Sequence, residues 1–128
     1  MVTFGMIKTK SIYHDSMEPG DGYRLLVMRY WPRGVVKARV SGWIKDLGPS
    51  PSLLRSLKEG RMDWRAFVAG YKLEMEGTAR GQPLLEEVQR LEEAHGTVTL
   101  LCHEDLSIPG AHCHREILEE MLYARRSE

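Results

Sequence analysis

The feature that most constrains the fold is a short apolar run at residues 97–101, which follows one helical pattern and precedes another. The run, TVTLL, is uncharged and rich in β-branched residues, a pattern typical of a strand that is buried on both faces. A buried strand between two helices favours an α/β domain with a mostly parallel sheet flanked by helices. In such sheets ligands bind beyond the carboxyl ends of the strands, so the residues after this run are the first candidates for a site.

Two earlier segments also have the composition of strands. These are residues 6–13 and 23–30, and the second is apolar enough to lie in the middle of the sheet. Between them, Pro19, Gly20 and Gly22 favour a turn. The link is shorter than the roughly dozen residues that a parallel crossover usually takes, so it would favour a hairpin if both strands ran their full length. The direction of the first strand is therefore left open.

Helical segments fill the middle of the chain. We predict helices over residues 40–47, 52–58, 63–76 and 82–95. Asp63 is the expected N-cap of the third helix, and Gly96 is expected to end the fourth. Trp43 and Trp64 fall at helical apolar spacing, which predicts that both lie in the core.

Length and charge limit the classes of function. The 128 residues fit one domain with a single core, and 18 basic residues balance 18 acidic ones. No overall field therefore attracts nucleic acid, which stays open as a partner only through a local basic cleft. There is no apolar run of about 18 residues and no secretory leader, so we expect no membrane partner and a cytoplasmic location. The sequence indicates neither a cofactor nor an oligomeric state.

The chain contains two cysteines, Cys102 and Cys113. Two cysteines in a domain of this size do not form a disulfide framework, and cytoplasmic thiols normally stay reduced. We therefore interpret both residues as thiols, with a reversible disulfide across the intervening loop as the redox alternative.

Three stretches of the chain, GYRLLVMRYWPRGV, GWIKDLGPSPSL and LLCHEDLSIPGAHCHREIL, carry a likeness to a known family. They resemble domain of unknown function family 488 (DUF488), and the likeness covers nearly the whole chain. Its recurring features are an arginine-rich turn after a strand, a tryptophan-lysine-leucine segment ending in Pro-Ser, and a Cys-x-Glu followed by Cys-His-Arg at a helix start. The residues that carry them here are Arg29, Trp31, Pro32, Arg33, Gly34, Trp43, Lys45, Leu47, Pro49, Ser50, Cys102, Glu104, Cys113, His114 and Arg115. The resemblance implies a small Rossmann-like α/β fold with a shared pocket at these residues, and it implies no particular reaction.

The first interpretation of these residues is an anion pocket. Arg29 and Arg33 leave the end of one strand, and Arg115 lies in the first turn of the last helix, where backbone N–H groups add donors. Together they are expected to hold a phosphate or carboxylate, with Trp31 and Cys102 nearby. An arginine in a first helical turn opposes the macrodipole, which favours a ligand there. The alternative is that the arginines pair with neighbouring carboxylates or are solvated.

A second interpretation makes the protein a thiol-dependent enzyme. Cys113 is expected at a helix N-terminus beside His112 and His114, where a thiolate is favoured. It would be the nucleophile, with Glu104 positioning His114 or a bound water. The more frequent alternative is a buried cysteine that acts as a small apolar side chain.

Metal binding is a third interpretation, because potential zinc ligands cluster here: Cys102, His103, His112, Cys113 and His114. The spacing argues against it. His103 should point away from Cys102 in a strand, and residues 112–114 should fan out by about 100° each in a helix. We therefore assign no metal ligands from the sequence. A module that only binds a partner is also open, because Tyr30 and Trp31 beside the arginine turn are suited to stacking on a base or a protein surface.

These interpretations converge on one cleft at the carboxyl ends of the strands at residues 23–30 and 97–101. The function expected from it is the binding of an anionic small molecule or a nucleotide phosphate. A reaction is expected only if Cys113, Glu104 and His114 act together there.

Overall fold

The protein is built around a four-stranded sheet in which every strand is parallel to its neighbours. The computed structural model describes residues 5–126. In chain order the strands are β1 (Met6–Ser11), β2 (Tyr23–Leu26), β3 (Gly42–Trp43) and β4 (Thr97–Cys102). Their order across the sheet is β1-β4-β2-β3, so the last strand lies between the first two. The predicted Rossmann-like α/β class with a mostly parallel sheet is confirmed.

β1 and β2 do not form a hairpin, because β4 lies between them. β1 pairs with one side of β4, where Ile7 is opposite Val98, and β2 pairs with the other side. The direction that the sequence left open is thus parallel, and the hairpin alternative is wrong. Residues 12–22 can cross the sheet within so short a link because Pro19–Asp21 forms a single 3₁₀ turn in place of a helix.

In the described range, four α-helices follow or separate the strands: α1 (Pro51–Lys58), α2 (Trp64–Glu76), α3 (Gly81–His95) and α4 (His114–Arg125). The predicted caps of the middle helices are confirmed, because Asp63 accepts a hydrogen bond from the Ala66 N–H at 2.8 Å and Gly96 ends α3 at a φ of 80°. Within residues 5–126, no helix combines the length and apolar character needed to cross a bilayer.

The helix predicted over residues 40–47 is wrong, because this segment joins the edge of the sheet. Gly42 of β3 pairs with Leu25 of β2, and the Ile44 N–H donates to the Leu26 carbonyl at 3.1 Å. Trp43 therefore lies on an edge strand with 40% of its surface exposed, and its predicted place in the core is also wrong. Trp64, by contrast, is half-buried and packs against the core.

The two faces of the sheet are covered by different kinds of structure. On the helix face, Leu100 packs in the same core as Leu118 of α4. On the loop face, Leu26 and Leu101 pack against loop residues that include Trp31. The chain that follows β2 therefore runs along the loop face, whereas the chain that follows the neighbouring β4 leads into α4 on the helix face. Adjacent parallel strands that diverge in this way form a topological switch point, where open α/β sheets leave a crevice.

A buried ion cluster fixes the crossover between β1 and β2. The Asp21 carboxylate is fully buried and binds Lys8, Lys10 and Arg24, with Nζ of Lys10 at 2.7 Å. Thr99 of β4 donates its hydroxyl to the Asp21 carbonyl at 2.7 Å. Burial raises the pKa of Asp21, but hydrogen bonds from Lys10 and the other donors outweigh it and hold the pKa well below the ordinary value of 3.8.

Replacing Asp21 by Asn should lower the free energy of unfolding by about 3 kcal/mol, because the buried guanidinium of Arg24 loses its counter-charge. A carboxylate with a lowered folded-state pKa contributes stability above its unfolded pKa, and this contribution is lost as the pH falls toward the folded value. The loss in the free energy of unfolding caused by Asp21→Asn should therefore have its full size at about pH 7 and be smaller at about pH 3. Urea unfolding at both pH values measures it. Glu93→Gln, at an exposed position, is the control and should match the wild type. A deficit that stays constant over this pH range would contradict the assignment.

Candidate ligand cleft

A cleft of about 450 Å³ opens at the carboxyl ends of β2 and β4, at the switch point. We term it the strand-end cleft. It is lined by Met28, Arg29, Tyr30, Pro49, Pro51, Leu54, Arg55, Leu57, Lys58, Cys102, His103, Glu104 and His114. Its volume lies within the range of about 300–1,000 Å³ that is usual for small-molecule sites.

Three parts of the chain build the cleft. β2 ends at Leu26, earlier than predicted, and residues 28–30 then bend into the rim. β4 delivers residues 102–104 beside them. The wall is α1, which begins at the cap formed by Ser50, whose hydroxyl accepts a hydrogen bond from the Leu53 N–H at 3.2 Å. The cleft thus depends on how α1 is held against the end of β2.

Arg29 holds this wall in place. Its guanidinium donates to the Asp46 carboxylate at 2.8 Å and to the carbonyls of Gly48 at 2.9 Å and Pro49 at 3.2 Å. A Cβ on Gly48 would lie 2.5 Å from the Arg29 backbone nitrogen, so the close approach of the two segments requires glycine. Arg29 also lines a second cavity of about 190 Å³ with Asp46 and Arg80.

The lining of the strand-end cleft is apolar and basic. Met28, Leu54 and Leu57 contribute apolar surface, while Arg55 and Lys58 add positive charge from the last turn of α1. Neither of these two cations has an ion-pair partner within the described part of the chain. Within residues 5–126, the cleft therefore offers two positive charges that are not part of an ion pair.

Glu104 is the carboxylate among the lining residues. Its Oε2 accepts a hydrogen bond from the Cys102 thiol at 3.1 Å, and its Oε1 lies 3.2 Å from Nε2 of His103. Burial raises the pKa of Glu104, but hydrogen bonds from the thiols of Cys102 and Cys113 and the nearby His103 outweigh it, so the net shift is downward. His103 can reach Glu104 because β4 ends at Cys102, and strand alternation no longer directs its side chain.

A buried imidazole and two thiols meet behind this carboxylate. Nε2 of His114 lies 2.7 Å from the Val27 carbonyl, and its Nδ1 lies 3.7 Å from Sγ of Cys113. Cys113 is only 2% exposed, and burial raises the pKa of its thiol. A raised thiol pKa does not favour the nucleophilic role that the sequence suggested for Cys113.

A family model with the description "Active DUF488-N3 subclade" matches residues 7–126. The chain belongs to the DUF488 family. This match confirms the resemblance seen in the sequence motifs. No solved structure gives a significant match to the chain.

Several bacterial proteins share part of this DUF488 sequence. "Uncharacterized protein YeaO" of Escherichia coli (strain K12) is 37% identical over 71 residues, which cover 54% of this chain and 61% of that protein. "Uncharacterized protein Rv3073c" of Mycobacterium tuberculosis (strain ATCC 25618 / H37Rv) is 33% identical over 81 residues, which cover 62% of this chain and 68% of that protein. The matched segment thus spans less than two thirds of the E. coli relative.

The structure separates the DUF488 motif residues into two groups. Those that line the strand-end cleft are Arg29, Pro49, Cys102, Glu104 and His114. Trp31 lies instead on the loop face, where its Nε1–H donates to the Val35 carbonyl at 3.0 Å and its ring meets Trp43 edge to face. Arg33 is exposed and does not line the cleft.

Arg115 is buried outside the cleft lining, with 1% of its surface exposed. Its Nη2 donates to the Glu104 carbonyl at 2.9 Å, while Nε and Nη1 have no hydrogen-bond partner within residues 5–126. Of the three predicted arginines, Arg29 lines the strand-end cleft, whereas Arg33 and Arg115 do not. Arg115 instead fixes the backbone of Glu104.

Sequence analysis missed Arg55 and Lys58, the two cations that α1 places in the cleft. The available signal was indirect. The Pro49 and Ser50 motif positions lie at the start of α1, so the family resemblance placed the first turn of this helix near the shared pocket. Arg55 and Lys58 are three residues apart and therefore lie on the same face of this helix, so their spacing would have pointed to both cations.

Arg29→Ala should lower the free energy of unfolding by about 2 kcal/mol, because three hydrogen bonds from a charged group to the cleft wall are lost. Arg33→Ala is the matched control, since it removes the same charge from an exposed position. It should change stability by less than about 0.5 kcal/mol. Chemical denaturation of both variants measures the difference, and equal losses would contradict the wall-holding role of Arg29.

Proposed function

We propose that the protein binds an anionic small molecule, such as a nucleotide phosphate, in the strand-end cleft. The observation that carries the proposal is a pair of cations, Arg55 and Lys58, that have no ion-pair partner among residues 5–126 and line a cleft of about 450 Å³ at the switch point. Arg55 and Lys58 are exposed at the rim, where they can contact the charged group of an anion, while apolar side chains line the cleft beside them.

The chemistry of the lining defines the class of ligand. Arg55, Lys58 and Arg29 suit a phosphate or carboxylate, and Arg29 keeps part of its five N–H donors free of the wall contacts. Tyr30 and Leu54 offer an apolar surface for the remainder of the molecule, and an aromatic ring can stack on a base. A nucleotide or a similarly amphipathic anion meets both requirements.

The proposed anion site contains a different set of residues from the one expected from the sequence. Arg29 remains, while Arg55 and Lys58 take the places of Arg33 and Arg115, which do not line the cleft. The free thiols of Cys102 and Cys113 are consistent with a reducing compartment, and we propose the cytoplasm as the location.

The alternative of a thiol-dependent enzyme with Cys113 as nucleophile has weaker support. Cys113 does not line the cleft, and the Cys102 thiol that does is directed at Glu104. A nucleophile must reach its substrate, so a reaction at Cys113 would first require the cleft to open further.

Inorganic phosphate, sulfate and adenosine monophosphate at millimolar concentration should each raise the melting temperature of the full chain, with the nucleotide having the largest effect. A ligand at about 100 times its Kd stabilises a protein by about 2.7 kcal/mol. The double variant Arg55→Ala/Lys58→Ala should weaken binding by about tenfold or more, because charge-assisted contacts are lost. Isothermal titration calorimetry gives the Kd values.

The matched control is Lys37→Ala/Arg65→Ala, which removes two positive charges from exposed positions outside the cleft. It should leave the Kd unchanged. Equal weakening in both double variants would show that binding reflects only the overall charge, and no binding of any of the three anions would refute the proposal.

A further inference from the structure

We propose that Cys102, Cys113 and His114 form a binding site for a thiophilic divalent cation, with Zn²⁺ as the best-suited ion, at the buried end of the strand-end cleft. Two thiolates and one imidazole are a ligand set that zinc prefers. The site does not depend on Arg55 or Lys58, so it stands or falls separately from the proposed anion binding.

The three ligand atoms are already close to the arrangement that zinc requires. They lie within 4.8 Å of one another, and Sγ of Cys113 is 3.7 Å from Nδ1 of His114. In a tetrahedral zinc site the bond lengths of about 2.3 Å to sulfur and about 2.0 Å to nitrogen place neighbouring ligand atoms about 3.6–3.8 Å apart. Side-chain adjustments of about 1 Å would close the set.

The hydrogen bond of His114 leaves the correct nitrogen free for a metal. Its Nε2 lies 2.7 Å from the Val27 carbonyl, which can only accept, so Nε2 carries the proton in the neutral ring. Nδ1 then presents a lone pair toward Sγ of Cys113. Metal-ligating histidines usually donate their second ring nitrogen to a carbonyl or carboxylate in this way, which fixes the tautomer and the ring orientation.

The local backbone explains why the sequence spacing argued against this site. Cys113 is the N-cap of α4, with φ −147° and ψ 145°, and His114 is the first residue of the helix. The separation of about 100° between consecutive helical side chains therefore does not apply to this pair. The extended N-cap turns the Cys113 thiol toward the end of β4, where Cys102 lies.

Glu104 can complete the coordination from the side of the cleft. Its Oε2 is 3.1 Å from Sγ of Cys102, and its side chain is half-buried. Binding of Zn²⁺ replaces the two thiol protons, which pass to the buffer, so the cation and two thiolates are together neutral. The fourth position of a tetrahedral zinc ion would be available to Glu104, to water or to a bound ligand.

The test uses the full chain, reduced with a phosphine and stripped of metal by a chelator. Titration with Zn²⁺ against a chromophoric chelator should give one ion per chain. Co²⁺ is the spectroscopic probe, and it should show a thiolate-to-cobalt charge-transfer band together with the intense visible bands of a tetrahedral site. No phosphate or sulfate is present, so a failure of anion binding does not affect this result.

Cys102→Ser, Cys113→Ser and His114→Gln should each reduce zinc affinity by more than the 10- to 100-fold that loss of an outer-shell partner typically costs. Glu104→Gln should reduce it less and keep the thiolate band.

The matched control is His112→Gln: His112 precedes Cys113 directly but stacks on Trp64 at 4.6 Å between ring centroids. It should bind zinc like the wild type. Far-ultraviolet circular dichroism identifies any variant that fails to fold, and the remaining ligand variants then carry the test.

Three results of the metal titrations would overturn the proposal. One is the absence of stoichiometric metal in the wild type, and another is a Co²⁺ spectrum without a thiolate band. The third is an equal loss of affinity in His112→Gln and His114→Gln. Mass spectrometry of a native preparation that contains a Cys102–Cys113 disulfide and no metal would also reject the site in favour of a redox pair.

Discussion

The central position of β4 is the constraint on which the rest of the structure depends. β1 and β2 do not pair with each other, and each of them pairs with β4. β4 also contributes side chains to both faces of the sheet. Leu100 lies in the core under the helices, and Leu101 lies in the core under the loops. Thr99 adds an anchor for the crossover through the carbonyl of Asp21. Both cores and the first crossover therefore rely on one six-residue strand.

This arrangement also decides where chemistry collects. β2 and β4 end side by side, and the chain leaves them toward opposite faces, so a cleft opens between residues that are far apart in sequence. Its outer wall is basic and apolar through α1, while its buried end is lined by Cys102 and His114, with the Cys113 thiol behind them. Glu104 lies between these regions. If both proposals hold, an anion in the cleft would lie next to a metal ion, an arrangement suited to polarising a phosphoryl or carboxyl oxygen.

The sequence predicted the features that depend on local chemistry. α2 and α3 carry strong end signals in Asp63 and Gly96, and β4 has an unmistakable apolar run. β3 was missed because a two-residue edge strand has no periodicity, and the exposure of Trp43 follows from that error. Strand ends located the cleft, but Arg55 and Lys58 enter it only through the packing of α1. The convergence of Cys113 and His114 on Cys102 depends on the backbone of a single N-cap, which the spacing of residues does not reveal.

The place of β4 in the sheet has a consequence for the order of assembly. Thr99 and Asp21, which bond to each other, are separated by 78 positions in the chain. Contacts over such separations carry a high loop-closure cost and slow the folding reaction. During synthesis, β1 and one edge of β2 must wait without a partner until the ribosome has released β4. Unpaired strand edges promote association between chains, so a slow translation rate or a missing chaperone would favour aggregation of this protein before its sheet is complete.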